Sequence, residues 1–561
     1  MDALPEAIRE SAKTSPLREW ILPPTRIIWQ SEKGVQNGAN LLQTKPGQAV
    51  LSEPLPPCQL SAGSNQPAGI LLDFGTEIQG YVELFTPMTG NHTPPPVRVR
   101  FGESVSEAMS DVGGKNAQND HAVRDQTVVL PWLGKKRVGP SGFRFVRIDA
   151  TDPKLPVSLS LVRAVLCLRD LPYLGAFRCD DERINRIWQV GAYTVHLNMQ
   201  EFLWDGIKRD RLVWLGDMFP EVSSINAVFG KTDVVPQSLD LIRDVTPATI
   251  WMNGISSYSI WWILIQEQLW LHTGDKSYLE AQKDYLGKLV RHLATFVAED
   301  GAEKLNGMRF LDWPTSENRA AIHEGLQALM VMAMESGGRL SEAVADTETQ
   351  QICNQTVAKL RKHVPPPSGR KSPAALEVLA GLRDPATAAN EVLKKDGPKD
   401  LSTFYGFFVL QALGRSSDID TALDFISTYW GGMLDYGATT FWEDFDLGWT
   451  NNAARIDEPV PPGRKDIHGD CGAYCYLGFR HSLCHGWASG PTAWLSQNVL
   501  GITPIEAGFK RVAIKPQLGR LKWAEGSYPT PLGVIRVRHE KREDGSVKSR
   551  IDAPPGIQVQ Q

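Results

Sequence analysis

Long apolar runs are what this sequence most plainly lacks. A bilayer crossing needs about 20 consecutive apolar residues. The nearest approach, YSIWWILIQEQLWL at 258–271, is shorter and is broken by Gln266, Glu267 and Gln268. The opening stretch, MDALPEAIRESAKTSPLREW, has no apolar core of a secretion signal. A cytoplasmic location is expected, with secretion left open should a leader have been removed. Nucleotide loops are missing too: there is no G-x-x-x-x-G-K-[ST], and no G-x-G-x-x-G between a strand and a helix. Neither a G-x-S-x-G elbow nor H-E-x-x-H occurs, since His323-Glu324 stops short of the zinc motif. No cofactor is expected. Positive charge is not in excess either. A formal net charge of -5 gives no footprint for nucleic acid or an anionic membrane.

Cysteine is sparse and odd in number. The seven cannot all pair within one chain. Cys471 and Cys475 lie near His468 and His481, but tetrahedral zinc needs four well-spaced ligands. Free buried thiols in a reducing compartment are the expectation, with no metal.

What is abundant is tryptophan, 17 in all, many of them beside acids or amides. Half of these suit a core. The others suit platforms for the C–H faces of sugars. A length of 561 residues exceeds what one core usually covers, so a multidomain chain is expected.

Up to about residue 170 the pattern is β. GILLDFG and GYVELFTP are short apolar runs bounded by Gly or Pro, and VRVRFGE and SGFRFVRIDA alternate with period two. An antiparallel, jelly-roll-like sandwich is expected over 1–170. Helical spacing then dominates over 171–502, with clear segments at 255–273, 276–298, 320–336, 340–363, 373–382, 385–395, 402–414, 417–430 and 485–500. Irregular pieces bring the number near twelve. No fixed repeat period favours a solenoid, so an (α/α)6 barrel, six helical hairpins in a ring, is the expected architecture. Strands return over 503–561 (VAIKP, GVIRVRHEK, VKSRIDA) as a small C-terminal β domain.

Four acid–aromatic clusters fall between the helices. WDGIKRDRLVWLGDMFPE, 204–221, holds Asp205, Arg209, Asp210, Trp214 and Asp217. GATTFWEDFDLGW, 437–449, holds Trp442 and Glu443; FLDWPTSEN holds Asp312 and Trp313; SLCHGWASGPTAWL holds His485. An Arg–Asp network pinning a loop would explain the first cluster without its indoles. Glycoside hydrolysis would explain both, because it needs one protonated and one ionised carboxyl flanking the scissile bond. Trp251 or Trp313 is the expected sugar platform.

With these motifs in order, the chain resembles the inverting α-L-rhamnosidases of glycoside hydrolase family 78. LDFGTEIQGYVEL, VRVRFGE and GFRFVRI are similar to that family's N-terminal sandwich. DGIKRDRLVWLGD resembles its D-x-x-x-R-D-E-R-x-x-W-x-G-D, GATTFWEDF its G-A-T-T-x-W-E, and SLCHGWASGPTAWL its late His-Gly helix start. The resemblance implies a six-hairpin glycosidase barrel flanked by β-sandwiches, and removal of terminal α-L-rhamnose. The family's acid is the Glu after R-D. Here Arg211 follows Asp210 directly. Carried over, Asp210 becomes the general acid and Glu443 the base that activates water, with carboxyls about 6.5–9.5 Å apart. Asp205, Arg209 and Asp217 would position the sugar. The expected partner is a small rhamnoside or oligosaccharide, with a homodimer left open. Two other readings stand beside this one: a catalytically silent barrel that binds a glycan or partner, and a related barrel enzyme, another glycosidase or a lyase, acting on a different sugar.

Overall fold

The computed structural model describes residues 14–64, 66–90 and 93–561. The N-terminal part is a seven-stranded antiparallel sheet. In spatial order it runs Leu17–Leu22, Leu161–Arg169, Ala68–Thr86, Gly134–Ala150, Pro96–Gly102 and Asp125–Val129, and Arg26–Gln30 pairs onto Ala68–Thr86. A three-stranded sheet, Val35–Gln36, Cys58–Leu60 and Val157–Leu159, covers it. The alternation in VRVRFGE and GFRFVRI turns Val97, Val99, Phe101, Phe143 and Ile148 into the shared core.

GILLDFG and GYVELFTP, read as two short strands, form one, Ala68–Thr86. The register jumps between Asp73 and Ile78 instead of breaking. Asp73 accepts from the Gly75 amide at 2.7 Å and is gripped by Arg144, so the bulge is pinned. Gly75 takes φ 82°, the left-handed region that glycine adopts without a Cβ clash.

Six inner helices close a ring: α1 (Leu215–Val228), α2 (Ser256–Thr273), α3 (Arg319–Ala343), α4 (Lys371–Leu379), α5 (Gly406–Arg415) and α6 (Gly490–Trp494). Each packs on the next and α6 packs back on α1. The outer layer is made of Glu182–Asn198, Val234–Val245, Lys276–Ala294, Thr347–Leu360, Pro385–Ala388 with Ala389–Leu393, and Ile419–Phe425 with Ile426–Trp430. The sequence explains who is inside. In α2, Ile260, Trp261, Trp262, Ile263 and Ile265 are all buried, so the helix is apolar all round. Lys276–Ala294 keeps one apolar stripe and stays outside. Asp181, Asp275, Asn318, Asp346 and Asp384 cap helix starts through their side chains.

The expected break at 337–339 does not occur. α3 runs through Gly337 and Gly338 to Ala343, and the next helix starts at Thr347 rather than 340. A Cβ on Gly337 would lie 3.1 Å from Cys353 Sγ and 3.2 Å from Val290, so this glycine serves close helix packing rather than a turn. The turn is made by Ala345, at φ 53°.

Residues beyond α6 form two sheets, each joined by an earlier strand. Ala176–Cys179 pairs with Trp523–Thr530, which continues to Gly533–Lys541 and Val547–Asp552. Ile502–Pro504 pairs with Arg511–Ile514, which pairs with Gln558–Gln560. Among the described residues, no helix is long and apolar enough to cross a membrane.

Trp261 is fully buried on α2 and stacks on Phe408 of α5 at 5.0 Å and 27°, tying two inner helices that are not sequence neighbours. Trp261→Ala should lower unfolding free energy by about 3–5 kcal/mol. Denaturant unfolding followed by circular dichroism would measure this, and a loss below about 1 kcal/mol would show that the ring does not rest on this contact.

Candidate active site

The N-terminal ends of the inner helices open onto a cleft of about 270 Å³. A larger cavity, about 530 Å³, lies at the other mouth. There Arg339 is matched to Glu267 and Arg361 to Glu335. The smaller cleft instead gathers carboxyls, a guanidinium, an imidazole and indoles.

The segment before α1 is a tied loop. Asp205 donates its N–H to the Leu212 carbonyl at 3.1 Å and accepts the Leu212 amide on its carboxylate at 3.0 Å. The Asp205 carbonyl also accepts from Gly486 at 2.8 Å, fixing the loop to the approach of α6. Asp210 and Arg211, at φ 55° and 57°, both sit in the left-handed region, which side-chain-bearing residues reach only at a cost. Arg211 offsets that strain by donating to the Ile207 carbonyl at 2.8 Å and lying 5.5 Å over the Trp204 ring.

Arg209 joins the two expected catalytic carboxyls. Its Nη1 donates to Asp210 at 2.9 Å, and its Nη2 is in hydrogen-bond contact with Glu443. The guanidinium lies 5.2 Å over Tyr476. Burial opposes its charge, but Glu443 and Asp210 outweigh that and hold its pKa above the ordinary value. Glu443 is placed by its backbone. Its amide donates to the Ser482 carbonyl at 3.0 Å, and its carbonyl accepts from Thr403 and from Trp487 Nε1. Its second oxygen accepts from the Ser482 amide at 3.3 Å.

A wall of buried acids with raised pKa completes the cleft. Burial, then the Asp217 and Asp210 charges, hold Asp205 well above the usual carboxylate range. Burial does the same to Asp217, whose carboxyl meets His485 Nε2 at 2.9 Å and the Tyr258 hydroxyl at 3.4 Å. Behind them Glu221 is raised by burial, then by Asp217 and Asp205, and neither of its oxygens has a hydrogen-bond partner. His485 Nδ1 is also unpartnered and lies 3.6 Å from Glu443.

Asp205, Arg209, Asp210, Trp214, Asp217, Trp313, Glu443 and His485 thus line one cleft. Three expected binding residues do not. Trp251 is committed to Asn306 at 2.8 Å and packs on His292 and Phe296. Trp442 is 1% exposed and meets Phe445 edge-on. Asp312 is buried, caps the turn Trp313–Thr315, and accepts from Ser372 and Ser402. Acid beside indole is a pattern that core and cleft share, which is why these three were misplaced. Trp487, which precedes a helix beside His485, lines the cleft as well, and Tyr258 and Tyr476 line it unanticipated. The sequence held a signal for Trp487, its place directly after His485-Gly486, but none for the tyrosines.

Among the described residues, one cluster has the types and closeness of a metal site: Glu103, Glu107 and His468. It does not fit a metal. Lys208 Nζ lies 3.0 Å from Glu103 and 3.2 Å from Glu107, supplying the cation, and His468 is engaged by Ser104 and the His481 carbonyl. Near Cys471 and Cys475, His481 accepts the Asp444 amide on its Nε2.

Comparison with known proteins agrees with the fold. Residues 172–361 match the family described as the bacterial alpha-L-rhamnosidase 6 hairpin glycosidase domain. Residues 501–560 match the bacterial alpha-L-rhamnosidase C-terminal domain. An alpha-L-rhamnosidase of Alteromonas sp. (strain LOR) is 25% identical over 532 residues, 85% of this chain and 54% of that protein. The chain therefore spans about half the length of the curated relatives it matches. The crystal structure of a rhamnosidase of Bacillus sp. GL1 superposes with a TM-score of 0.75 at 22% identity, over 93% of this chain and 55% of that one. A rhamnosidase from Klebsiella oxytoca with rhamnose bound gives 0.67 at 19% identity, over 88% and 96%. At these identities the solved structures establish the fold.

The imidazole makes one pH-dependent contribution to stability. Burial pulls His485 down to about 4, with Glu443 opposing. In the unfolded chain it takes up a proton near about 6.5. The unfolded state thus binds more protons between these values, and stability from the neutral ring, full above about pH 6.5, is lost as pH falls towards about 4. The unfolding free-energy difference between wild type and His485→Gln should shrink over that window. A difference independent of pH would show that the ring is not held neutral.

Proposed function

We propose that this chain, whose residues 172–361 and 501–560 match bacterial α-L-rhamnosidase domains, hydrolyses terminal, non-reducing α-L-rhamnose from small rhamnosides with inversion. The observation that carries the reading is the pair of carboxyls, Asp210 and Glu443, held on one guanidinium at the floor of an aromatic-walled cleft. In this reading Asp210 is the general acid, giving a proton to the glycosidic oxygen as the C1–O bond breaks. Glu443 takes a proton from the water that attacks C1 from the opposite face, and the sugar leaves as β-L-rhamnose. Arg209 contacts both carboxyls, and inversion requires room for a water between sugar and base. Asp205, Asp217 and His485 face the sugar hydroxyls, and Trp214, Trp313 and Trp487 supply its apolar contacts. Five of the seven cysteines are buried and all seven are free, which suits a reducing, cytoplasmic setting.

A second assignment of the acid has its own support. Asp205 also lines the cleft and is held above the usual carboxylate range, so it keeps a proton where an ordinary Asp would not. Mutant kinetics separate the two. Asp210→Asn should cripple hydrolysis of natural rhamnosides, whose poor leaving group needs the proton, and spare an activated aryl α-L-rhamnoside. Glu443→Gln should lower kcat on both by about 10²–10⁴-fold. NMR of the wild-type reaction should show β-L-rhamnose first. Full activity of Asp210→Asn on natural substrates would pass the acid role to Asp205. An α-anomeric first product would end the inverting reading, and no turnover of any rhamnoside would leave a sugar-binding barrel or a different sugar.

A further inference from the structure

The charge knot behind the cleft joins the N-terminal sheet to both catalytic loops. Glu103 follows the strand Pro96–Gly102 and is fully buried. Its Oε2 accepts the Leu483 amide at 2.6 Å and lies 3.0 Å from Lys208 Nζ, and its Oε1 accepts from Ser482 Oγ at 3.3 Å. Lys208 is saturated: besides Glu103 it meets Glu107 and donates to the carbonyls of Phe479 and His481 at 2.9 and 2.6 Å. Lys208 directly precedes Arg209 and Asp210. Ser482 exchanges backbone contacts with Glu443 in both directions, accepting its amide and donating to its carboxylate.

We propose that Glu103, a residue of the N-terminal sandwich, is a positioning residue of the barrel's reaction: it sets the placement of Glu443 through Ser482–Leu483 and of Asp210 through Lys208. The strand before it is held on both sides, by Asp125–Val129 and by Gly134–Ala150, so it gives a rigid reference point that neither barrel loop has by itself. One carboxylate thereby fixes the distance between acid and base. A carboxyl suits all three tasks, accepting from an amide and a hydroxyl and pairing with an ammonium, which opposes the rise to about 7 that burial gives it. A carboxamide has one acceptor oxygen: facing Leu483 it offers Lys208 only a neutral oxygen and Ser482 an N–H₂, and flipped it sets the N–H₂ against both Lys208 and the Leu483 amide. The sandwich is then part of the catalytic apparatus, not a separate module.

This rests on the rhamnosidase reading for its kinetics but not for its geometry, so two measurements are needed. On an aryl α-L-rhamnoside, Glu103→Gln should lower kcat about 10–100-fold, the scale of a small misplacement of reacting groups, with KM changed less than about 3-fold. Glu103→Ala should do more, and Glu103→Asp should recover part of the loss. Arg26→Met is the control: Arg26 reaches the Asp457 carbonyl at 3.0 Å across the same domain contact, so its loss should lower Tm and leave kcat alone. Crystal structures of wild type and Glu103→Gln provide the second readout, in which Ser482 and Lys208 should shift and the Asp210–Glu443 separation should change. Wild-type kcat in a folded Glu103→Gln, or unmoved loops in its crystal structure, overturns the inference. A wild type without rhamnosidase activity overturns the functional reading instead, and the crystal comparison still decides the role of Glu103.

Discussion

A single buried cation organises the cleft. Arg209 is the sole Lys or Arg among the residues lining it, and it faces four carboxyls: Asp205, Asp210, Asp217 and Glu443. Removing one partner of a buried ion pair costs about 3–5 kcal/mol because the other charge stays behind uncompensated. That holds the guanidinium between Asp210 and Glu443 and makes the left-handed turn at Asp210–Arg211 tolerable, at about 1–2 kcal/mol per residue. The loop's shape follows from the electrostatics. The left-handed turn brings the Asp210 carboxyl back onto the guanidinium of the preceding residue.

One cation cannot serve four acids, and the two acids without it respond as burial dictates. Asp205 and Asp217 rise well above the carboxylate range, as does Glu221 behind them. His485 is driven the other way by the same burial. The outcome is a wall of groups whose neutral forms burial favours. Such a wall matches an uncharged sugar better than an array of ions would, because no charge needs to be desolvated when the sugar enters. It also confines charge to the place where the proposed reaction moves protons.

The domains share one interior. The core of the N-terminal sandwich includes Leu197, Ile207 and Cys484, which belong to the helical part of the chain. A Cβ on Gly142 would come within 2.9 Å of Ile207, so the sheet presses directly on the loop that carries Asp210. Arg144 extends this contact. It binds Asp73 within the sheet and donates to the Gly437 carbonyl at 3.0 Å, at the start of the segment that leads to Glu443. Sheet and barrel meet at the acid loop and at the approach to the base.

How much of this was legible in the sequence depends on the range of each interaction. Helix identity was legible because the apolar period is local. The loop 205–217 and Glu443 were legible because their acids and indoles crowd into short stretches. Trp251 and Trp313 could not be told apart, since both are tryptophans just ahead of an inner helix. What separates them is where the indole N–H finds its partner, Asn306 for one and Tyr476 for the other, and those partners lie 55 and 163 residues away. Glu103 is the extreme of this kind. It reads as the polar end of an alternating strand, and its contacts to Ser482 and Leu483 span 379 and 380 residues. A residue that works by holding two distant loops at a set separation has no local pattern to betray it. Its burial as a carboxylate beside an ammonium is the first sign, and that sign exists only once the chain has folded.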